Sequence, residues 1–135
     1  GRIMWNRKKS QPSIRSLLGE GSALQGTIRF REGLRIDGEV HGDVVADADH
    51  PSMLVISEKA RVQGKVKAAH VIINGQVLGP VEATELLELQ PNARIVGDVR
   101  YAVLEMHPGA LIEGELQPLK SADRPALTLA ASNDV

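Results

Sequence analysis

The fold is set by one stretch, Ala93-Arg94-Ile95-Val96-Gly97-Asp98-Val99, which reads small, variable, apolar, variable, Gly, variable, apolar. The same pattern recurs in full at 60–66 and 110–116, and in shorter form at 24–28, 36–40 and 73–77. Recurrence of one short phrase along a chain is the signature of a repeat architecture. The sequence is therefore predicted to form a stack of short, similar units.

The length of the unit follows from one glycine in each repeat. These glycines are Gly26, Gly42, Gly64, Gly79, Gly97 and Gly114, and successive ones are 16, 22, 15, 18 and 17 residues apart. Helical repeats need 33 or more residues and a propeller blade about 40, whereas about 17 residues suffice for three short strands and three corners. The period therefore favours one turn of a β-solenoid, and the 22-residue step is interpreted as a corner with an inserted loop at 46–52.

Strand alternation predicts which residues form the core. Ile95 should point inward, while Arg94 and Val96 point outward. The following glycine should lie at a corner, where it adopts a positive φ, so that Val99 points inward again. Equivalent residues stack at about 4.8 Å per turn, and six turns give a rod of about 29 Å. A β-sandwich is the alternative, but its strands carry no repeated glycine phrase. We predict an all-β solenoid of about six turns, with Ile95 near Val62 and Ile112.

Composition excludes several classes of protein. Cysteine is absent, so no disulfide framework or cysteine-based metal site is expected. The net charge of −1 argues against general nucleic-acid binding. Aromatic residues make up 2% of the chain, which suits a narrow core of stacked aliphatic side chains. The sequence shows no long apolar run or secretory signal, so a cytoplasmic protein is expected.

The sequence is interpreted as three parts, of which the first is marked by its charge. Residues 1–19 contain five basic and no acidic residues. We interpret 1–21 as a flexible basic arm in which residues 1–3 precede the natural start, 22–119 as the solenoid, and 120–135 as a disordered tail. The stretch 14–19 is interpreted as a short turn leading into the rod. Within the arm, an apolar pair and three cations are predicted to target the membrane, because Trp prefers the interface and each cation adds about 1 kcal/mol of binding free energy on an anionic leaflet. These residues are Met4, Trp5, Arg7, Lys8 and Lys9.

Several phrases together resemble the bactofilin family. The start Met4-Trp5-Asn6-Arg7-Lys8-Lys9 precedes a pattern of Leu17-Leu18-Gly19 and then the specific phrase Leu34-Arg35-Ile36-Asp37-Gly38. The later phrases at 71–81 and 93–99 are also similar to that family. The resemblance covers nearly the whole chain except the tail. Bactofilins often carry Phe in the last coil, where this chain has Leu111 and Ile112.

The resemblance implies a bacterial cytoskeletal protein. Bactofilins are right-handed β-helices with a triangular apolar core, and they polymerise end to end without nucleotide. Their filaments are non-polar, with alternating head-to-head and tail-to-tail contacts. They attach to the inner membrane through the N-terminal arm and position cell-wall enzymes, including peptidoglycan endopeptidases. A homopolymer at the inner membrane surface with such enzyme partners is therefore expected, and no cofactor or nucleic acid.

The two ends of the solenoid are the predicted polymerisation interface. An open end carries unpaired strand groups and exposed apolar side chains, and most solenoids cover it with a cap. Here the apolar pattern begins at once and continues to the end without a capping helix. The candidate residues are Leu24, Ile28 and Phe30 at one end and Leu111, Ile112 and Leu116 at the other.

Two other functions compete with this interpretation. A left-handed β-helix acyltransferase would use a histidine as general base, and the candidates are His41, His50, His70 and His107. The irregular steps and the two His-Pro turns argue against it, no histidine pair has metal-ligand spacing, and no phosphate-binding loop occurs. A monomeric adaptor that binds a partner along the rod is the third possibility. We predict that the chain is not an enzyme and contains no catalytic or metal site.

Overall fold

The computed structural model describes residues 13–119, which form sixteen short strands and no helix. The strands are β1 Ile14–Leu18, β2 Ala23–Gln25, β3 Ile28–Phe30, β4 Glu32–Ile36, β5 Glu39–His41, β6 Val44–Ala46, β7 Ser52–Ile56, β8 Arg61–Gln63, β9 Val66–Ile73, β10 Gln76–Leu78, β11 Val81–Leu89, β12 Arg94–Val96, β13 Val99–Tyr101, β14 Leu104–Met106, β15 Leu111–Glu113 and β16 Leu116–Pro118. Accordingly, no helix that could cross a membrane lies within this part of the chain.

The strands wind through six turns and three faces. Face A contains β1, β4, β7, the second halves of β9 and β11, and β14. Face B contains β2, β5, β8, β10, β12 and β15. Face C contains β3, β6, the first halves of β9 and β11, β13 and β16. All neighbouring strands pair in parallel, as a solenoid requires, and the predicted six-turn solenoid is confirmed.

Inward-facing residues of successive turns form stacked columns. The column on face B consists of Leu24, Val40, Val62, Val77, Ile95 and Ile112. Ile95 is 1% exposed, whereas its neighbour Val96 is 46% exposed, so the predicted alternation is confirmed. The direct neighbours of Ile95 are Val77 and Ile112, and Val62 lies one turn further away. The interior of all three faces is made of Val, Ile, Leu and Ala.

Glycine begins every corner between faces B and C. Each of these corners has two residues, and Gly64 illustrates the constraint with a φ of 155°. A Cβ at this position would overlap the carbonyl oxygen of Gly42, which lies one turn earlier. The repeated glycine therefore reflects close contact between the backbones of adjacent turns as well as an unusual φ.

Replacing Gly64 with alanine should lower the free energy of unfolding by about 2–5 kcal/mol, because backbone strain and steric overlap add together. Gly26 is a matched control, since its φ is 121° but no atom lies within 4 Å of a Cβ built there. Gly26→Ala should cost only the strain, about 1–3 kcal/mol. Denaturant titration of both variants would measure the difference, and equal losses would show that the overlap contributes nothing.

The solenoid begins earlier than the sequence indicated. Residues 14–18 were assigned to the flexible arm, but they form β1, in which Leu17 pairs with Arg35 and Leu18 with Ile36. The amide of Asp37 donates to the Leu18 carbonyl at 2.8 Å, and Leu18 packs against the core. The boundary at residue 21 is therefore wrong, because pairing with β4 stabilises a strand that its own sequence does not specify. The membrane-targeting residues and the tail lie outside the described residues.

The inserted loop of the long repeat is confirmed at slightly narrower bounds. Ala46 ends β6 and Ser52 begins β7, so the insertion covers 47–51 at the corner between faces C and A. Ser52 is buried, and its hydroxyl oxygen accepts a hydrogen bond from the Ala69 amide at 2.9 Å. The loop therefore leaves the stacking of the strands on either side intact.

Candidate assembly surfaces at the two ends

The C-terminal end of the solenoid presents a set of apolar side chains that none of the six described turns covers. Met106 and Leu116 occupy inward-facing positions, and each is 45% exposed. The equivalent residues one turn earlier, Leu89 and Val99, are fully buried. The inward-facing residues of this end are Leu104, Met106, Ile112, Leu116 and Pro118. Residues 13–119 form no seventh turn above them, so a stacked partner would bury them.

The structure changes which residues define this end. Ile112 and Leu116 occupy the predicted positions, but Leu111 pairs with Arg94 and points outward on face B, where it is 54% exposed. Sequence reasoning missed Leu104 and Met106, although the alternation of 103–106 carries the signal of a strand. Leu111 therefore lies beside the end surface and can contact a partner only at its rim.

The N-terminal end has the same chemistry with less exposure. Leu24, Ile28 and Phe30 were predicted here, and each is half-buried against the core at an inward position of the first turn. Leu18 completes the set from face A and was missed because its strand was assigned to the arm. Both ends thus expose apolar columns that another copy could extend.

The backbone at the C-terminal edge is also available for pairing. The Leu111 amide donates to Ala93, and the Glu113 carbonyl accepts from Gly97, so both residues direct their polar groups toward the preceding turn. Because successive residues of a strand alternate, the N–H and C=O groups of Ile112 point away from the rod. An edge of this kind is a template for a further strand.

The three side faces carry charged pairs among scattered apolar side chains, of which Leu17, Val96 and Val103 are exposed. On face C, Glu82 lies between Lys67 and Arg100, with N–O distances of 3.6 and 3.4 Å. On face A, Glu88 lies 3.4 Å from His107 at the neighbouring corner. These pairs contribute little to stability.

No catalytic centre assembles around the histidines. His41 lies on face B near Glu39, and His50 lies in the 47–51 loop near Asp47. His70 is buried, and His107 is at the corner between faces A and B. Within residues 13–119 no group of three potential ligands is arranged to hold a metal ion. The four histidines thus occupy separate parts of the solenoid.

The family assignment rests on a match that spans nearly all of the described solenoid. A family model described as Bactofilin, polymer-forming cytoskeletal, matches residues 16–117, from within β1 to within β16. The chain belongs to the bactofilin family. The family predicted from the sequence is confirmed, and bactofilins are polymer-forming structural proteins of the cytoskeleton.

Individual bactofilins support the assignment. Bactofilin BacP of Myxococcus xanthus is 27% identical over 118 residues, which cover 83% of this chain and 48% of BacP. The chain thus spans about half the length of that relative. Bactofilin BacO of the same organism is 26% identical over 101 residues, covering 75% of this chain and 77% of BacO. A solved bactofilin from Thermus thermophilus, a phenylalanine-to-arginine variant, has a TM-score of 0.63 and 29% identity, and the match covers 70% of this chain and all of that one.

Proposed function

We propose that this bactofilin is a cytoskeletal scaffold that assembles end to end into non-polar filaments without nucleotide. The observation that supports this most directly is the pair of apolar ends, which no residue of 13–119 caps and where inward positions that are fully buried in the middle turns become partly exposed. End-to-end stacking extends both the apolar columns and the strand ladders. Alternating head-to-head and tail-to-tail contacts follow the arrangement that the family resemblance implies.

Electron microscopy of the purified chain without nucleotide tests this proposal. Filaments many times longer than the single rod are the expected result. A discrete trimer would instead favour the acyltransferase interpretation, and single rods would favour a monomeric adaptor. The measurement discriminates because the three functions differ in assembly state even though they share strand architecture.

The scaffold would be attached to the inner membrane from the cytoplasmic side through its N-terminal arm. One arm would have only a weak membrane affinity, comparable to that of a single lipid chain, from Trp5 and the basic residues Arg7, Lys8 and Lys9. A filament displays many arms along one surface, so their combined binding is much stronger. The arm directly precedes β1, which is an edge strand of the first turn.

Deleting residues 4–9 should abolish co-sedimentation with anionic liposomes while leaving filaments intact. The reason is that the deleted residues precede β1, with which the described solenoid begins. Trp5→Ala and Lys8→Glu should each reduce binding in part, and added salt should reduce it further by screening. Neutral liposomes are the control for the charge effect. Unchanged sedimentation of the deletion variant would remove the anchor from the proposal.

Filaments at the membrane would position cell-wall enzymes such as a peptidoglycan endopeptidase, and so influence cell shape. This role comes from the family resemblance, and the side faces of the rod leave surface for such partners. Affinity capture on preassembled filaments, compared with capture on an assembly-defective variant, tests it. Recovery of no cell-wall enzyme on either would contradict this part of the proposal.

A further inference from the structure

The C-terminal end contains enough chemistry to locate the symmetry axis of a tail-to-tail contact. If two identical ends meet about a two-fold axis and keep their strands paired, the axis passes through the middle of one face. The terminal strand on that face then pairs antiparallel with its own copy. Each of the other two faces meets the other one of the second copy. Only three arrangements exist, with the axis on face A, B or C, and the terminal strands distinguish them.

An axis on face A is disfavoured by charge. It would place the middle residue of β14, Glu105, directly opposite its own copy. Glu105 points outward beside Glu88 of the preceding turn, because these two residues are register partners. Like charges directly opposite each other in a strand pair are destabilising, and this arrangement would collect four carboxylates at one joint.

An axis on face C is disfavoured by the phase of the strands that it exchanges. It would pair β16 with itself, so that Leu116 lies opposite Pro118 of the second copy. Pro118 has no N–H group to donate, but a joint on face B would place it opposite Leu104, so proline does not distinguish the two arrangements. The exchange of faces A and B does, because the middle residue of β14, Glu105, points outward and that of β15, Ile112, points inward. The exchange of the other two faces would also bring Glu105 of one copy onto the same outer surface as Glu113 of the other.

An axis on face B avoids the self-opposed Glu105 and exchanges strands of equal phase, because the middle residues of β14 and β16 both point outward. The middle residue of β15 is Ile112, whose N–H and C=O groups both point away from the rod and can exchange two hydrogen bonds with the same groups of a second copy. Leu111 of one copy then lies opposite Glu113 of the other. On the exchanged faces, Glu105 lies opposite the neutral Gln117. The second copy thereby covers part of the exposed side chain of Leu111.

Two unpaired charges complete the argument for face B. Neither Arg94 nor Glu113 forms an ion pair with another residue of 13–119. Arg94 is the register partner of Leu111 in the preceding turn. In a joint on face B, Leu111 lies opposite Glu113 of the second copy, so Arg94 and that Glu113 lie on either side of Leu111. The long arginine side chain can span this separation, and symmetry forms the pair twice.

We propose that two copies join tail to tail about a two-fold axis through Ile112 on face B, with Arg94 of each copy paired to Glu113 of the other. This inference rests on the proposed end-to-end assembly and specifies the geometry of one of its contacts.

Single-cysteine cross-linking tests the position of the axis, because the chain contains no cysteine. In a hydrogen-bonded antiparallel pair the Cα atoms are about 5.5 Å apart, which is within the range of a disulfide. Ile112→Cys should therefore oxidise to a covalent dimer on a non-reducing gel. Glu105→Cys and Gln117→Cys report an axis on face A or face C, and Val96→Cys, one turn inside face B, is the control that should stay monomeric.

Two further measurements leave Ile112 unchanged, so a packing defect at that position cannot affect them. A mixture of Leu111→Cys and Glu113→Cys proteins should form a mixed dimer far more readily than either protein alone. Arg94→Glu should raise the concentration needed for assembly roughly tenfold, and adding Glu113→Arg to the same chain should restore it.

The outcomes separate this inference from the proposed function. Filaments together with dimers of Glu105→Cys or Gln117→Cys would place the axis on another face and overturn the inference, while end-to-end assembly stands. Filaments with no cross-link from any of the three positions would exclude a paired two-fold contact at this end. Absence of filaments from the unmodified chain would overturn the proposed function itself.

Discussion

Ile95→Asp is expected to unfold the solenoid. Ile95 is 1% exposed and lies between Val77 and Ile112 in a column without polar groups. A carboxylate at this position would be buried without a partner, which costs several kcal/mol. The stability of a domain of this size is only about 5–15 kcal/mol. The β-sheet signal in circular dichroism should therefore be lost or should melt at a much lower temperature.

Val96→Asp is the matched control because it introduces the same charge one residue later. Val96 is 46% exposed on the outer surface of face B, and its substitution should change the free energy of unfolding by about 0.5 kcal/mol or less. Thermal melts of the two variants compare inward and outward positions within one strand. If Ile95→Asp melts with the unmodified chain, the assignment of the core column is wrong.

Leu116→Arg is expected to stop assembly at the C-terminal end. Leu116 is 45% exposed there, and in a two-fold contact the substitution places two guanidinium groups in the same apolar joint. Burying unpaired charges costs several kcal/mol, and a loss of about 3 kcal/mol raises the required concentration by about 100-fold. We expect short species, mainly dimers joined through their N-terminal ends, with the β-sheet signal retained. Electron microscopy and light scattering measure the length distribution.

Thr84→Arg provides the control for the introduced charge. Thr84 is exposed in the middle of the rod, away from both ends, so this variant should form filaments like the unmodified chain. Ile112→Arg should reproduce the effect of Leu116→Arg from another face. Long filaments from both end variants would place the assembly contact elsewhere, and an unfolded spectrum would show that these residues hold the last turn together.

The two end variants and the core variant rest on the same property of a solenoid. An inward-facing residue has one environment in the middle of the stack and another at its end. Val99 and Leu116 are register partners, yet Val99 is buried and Leu116, in the last turn, is 45% exposed. The ends of this bactofilin are cross-sections of its own core. Assembly can therefore continue the packing that stabilises each single copy.

The sequence by itself determined the solenoid, its six turns, its inward-facing residues and the apolar character of both ends. These follow from local rules, because strand alternation assigns Ile95 to the inside, and a two-residue corner beginning with glycine separates faces B and C in every turn. Since that corner has constant length, the glycine phrase marks the repeat reliably. Ile112 and Leu116 could be placed at the end for the same reason.

Only the tertiary structure decided the register and the exact composition of the ends. The corners between faces A and B contain two residues after β4 but four after β7, and the loop 47–51 lengthens another corner. Vertical neighbours therefore cannot be obtained by counting, which is why Ile95 contacts Val77 rather than Val62. Likewise, β1 exists because β4 offers an edge to pair with, and Leu111 lies outside because its partner across the ladder is Arg94. Stacking between turns is a long-range interaction, and residue order along one turn does not encode it.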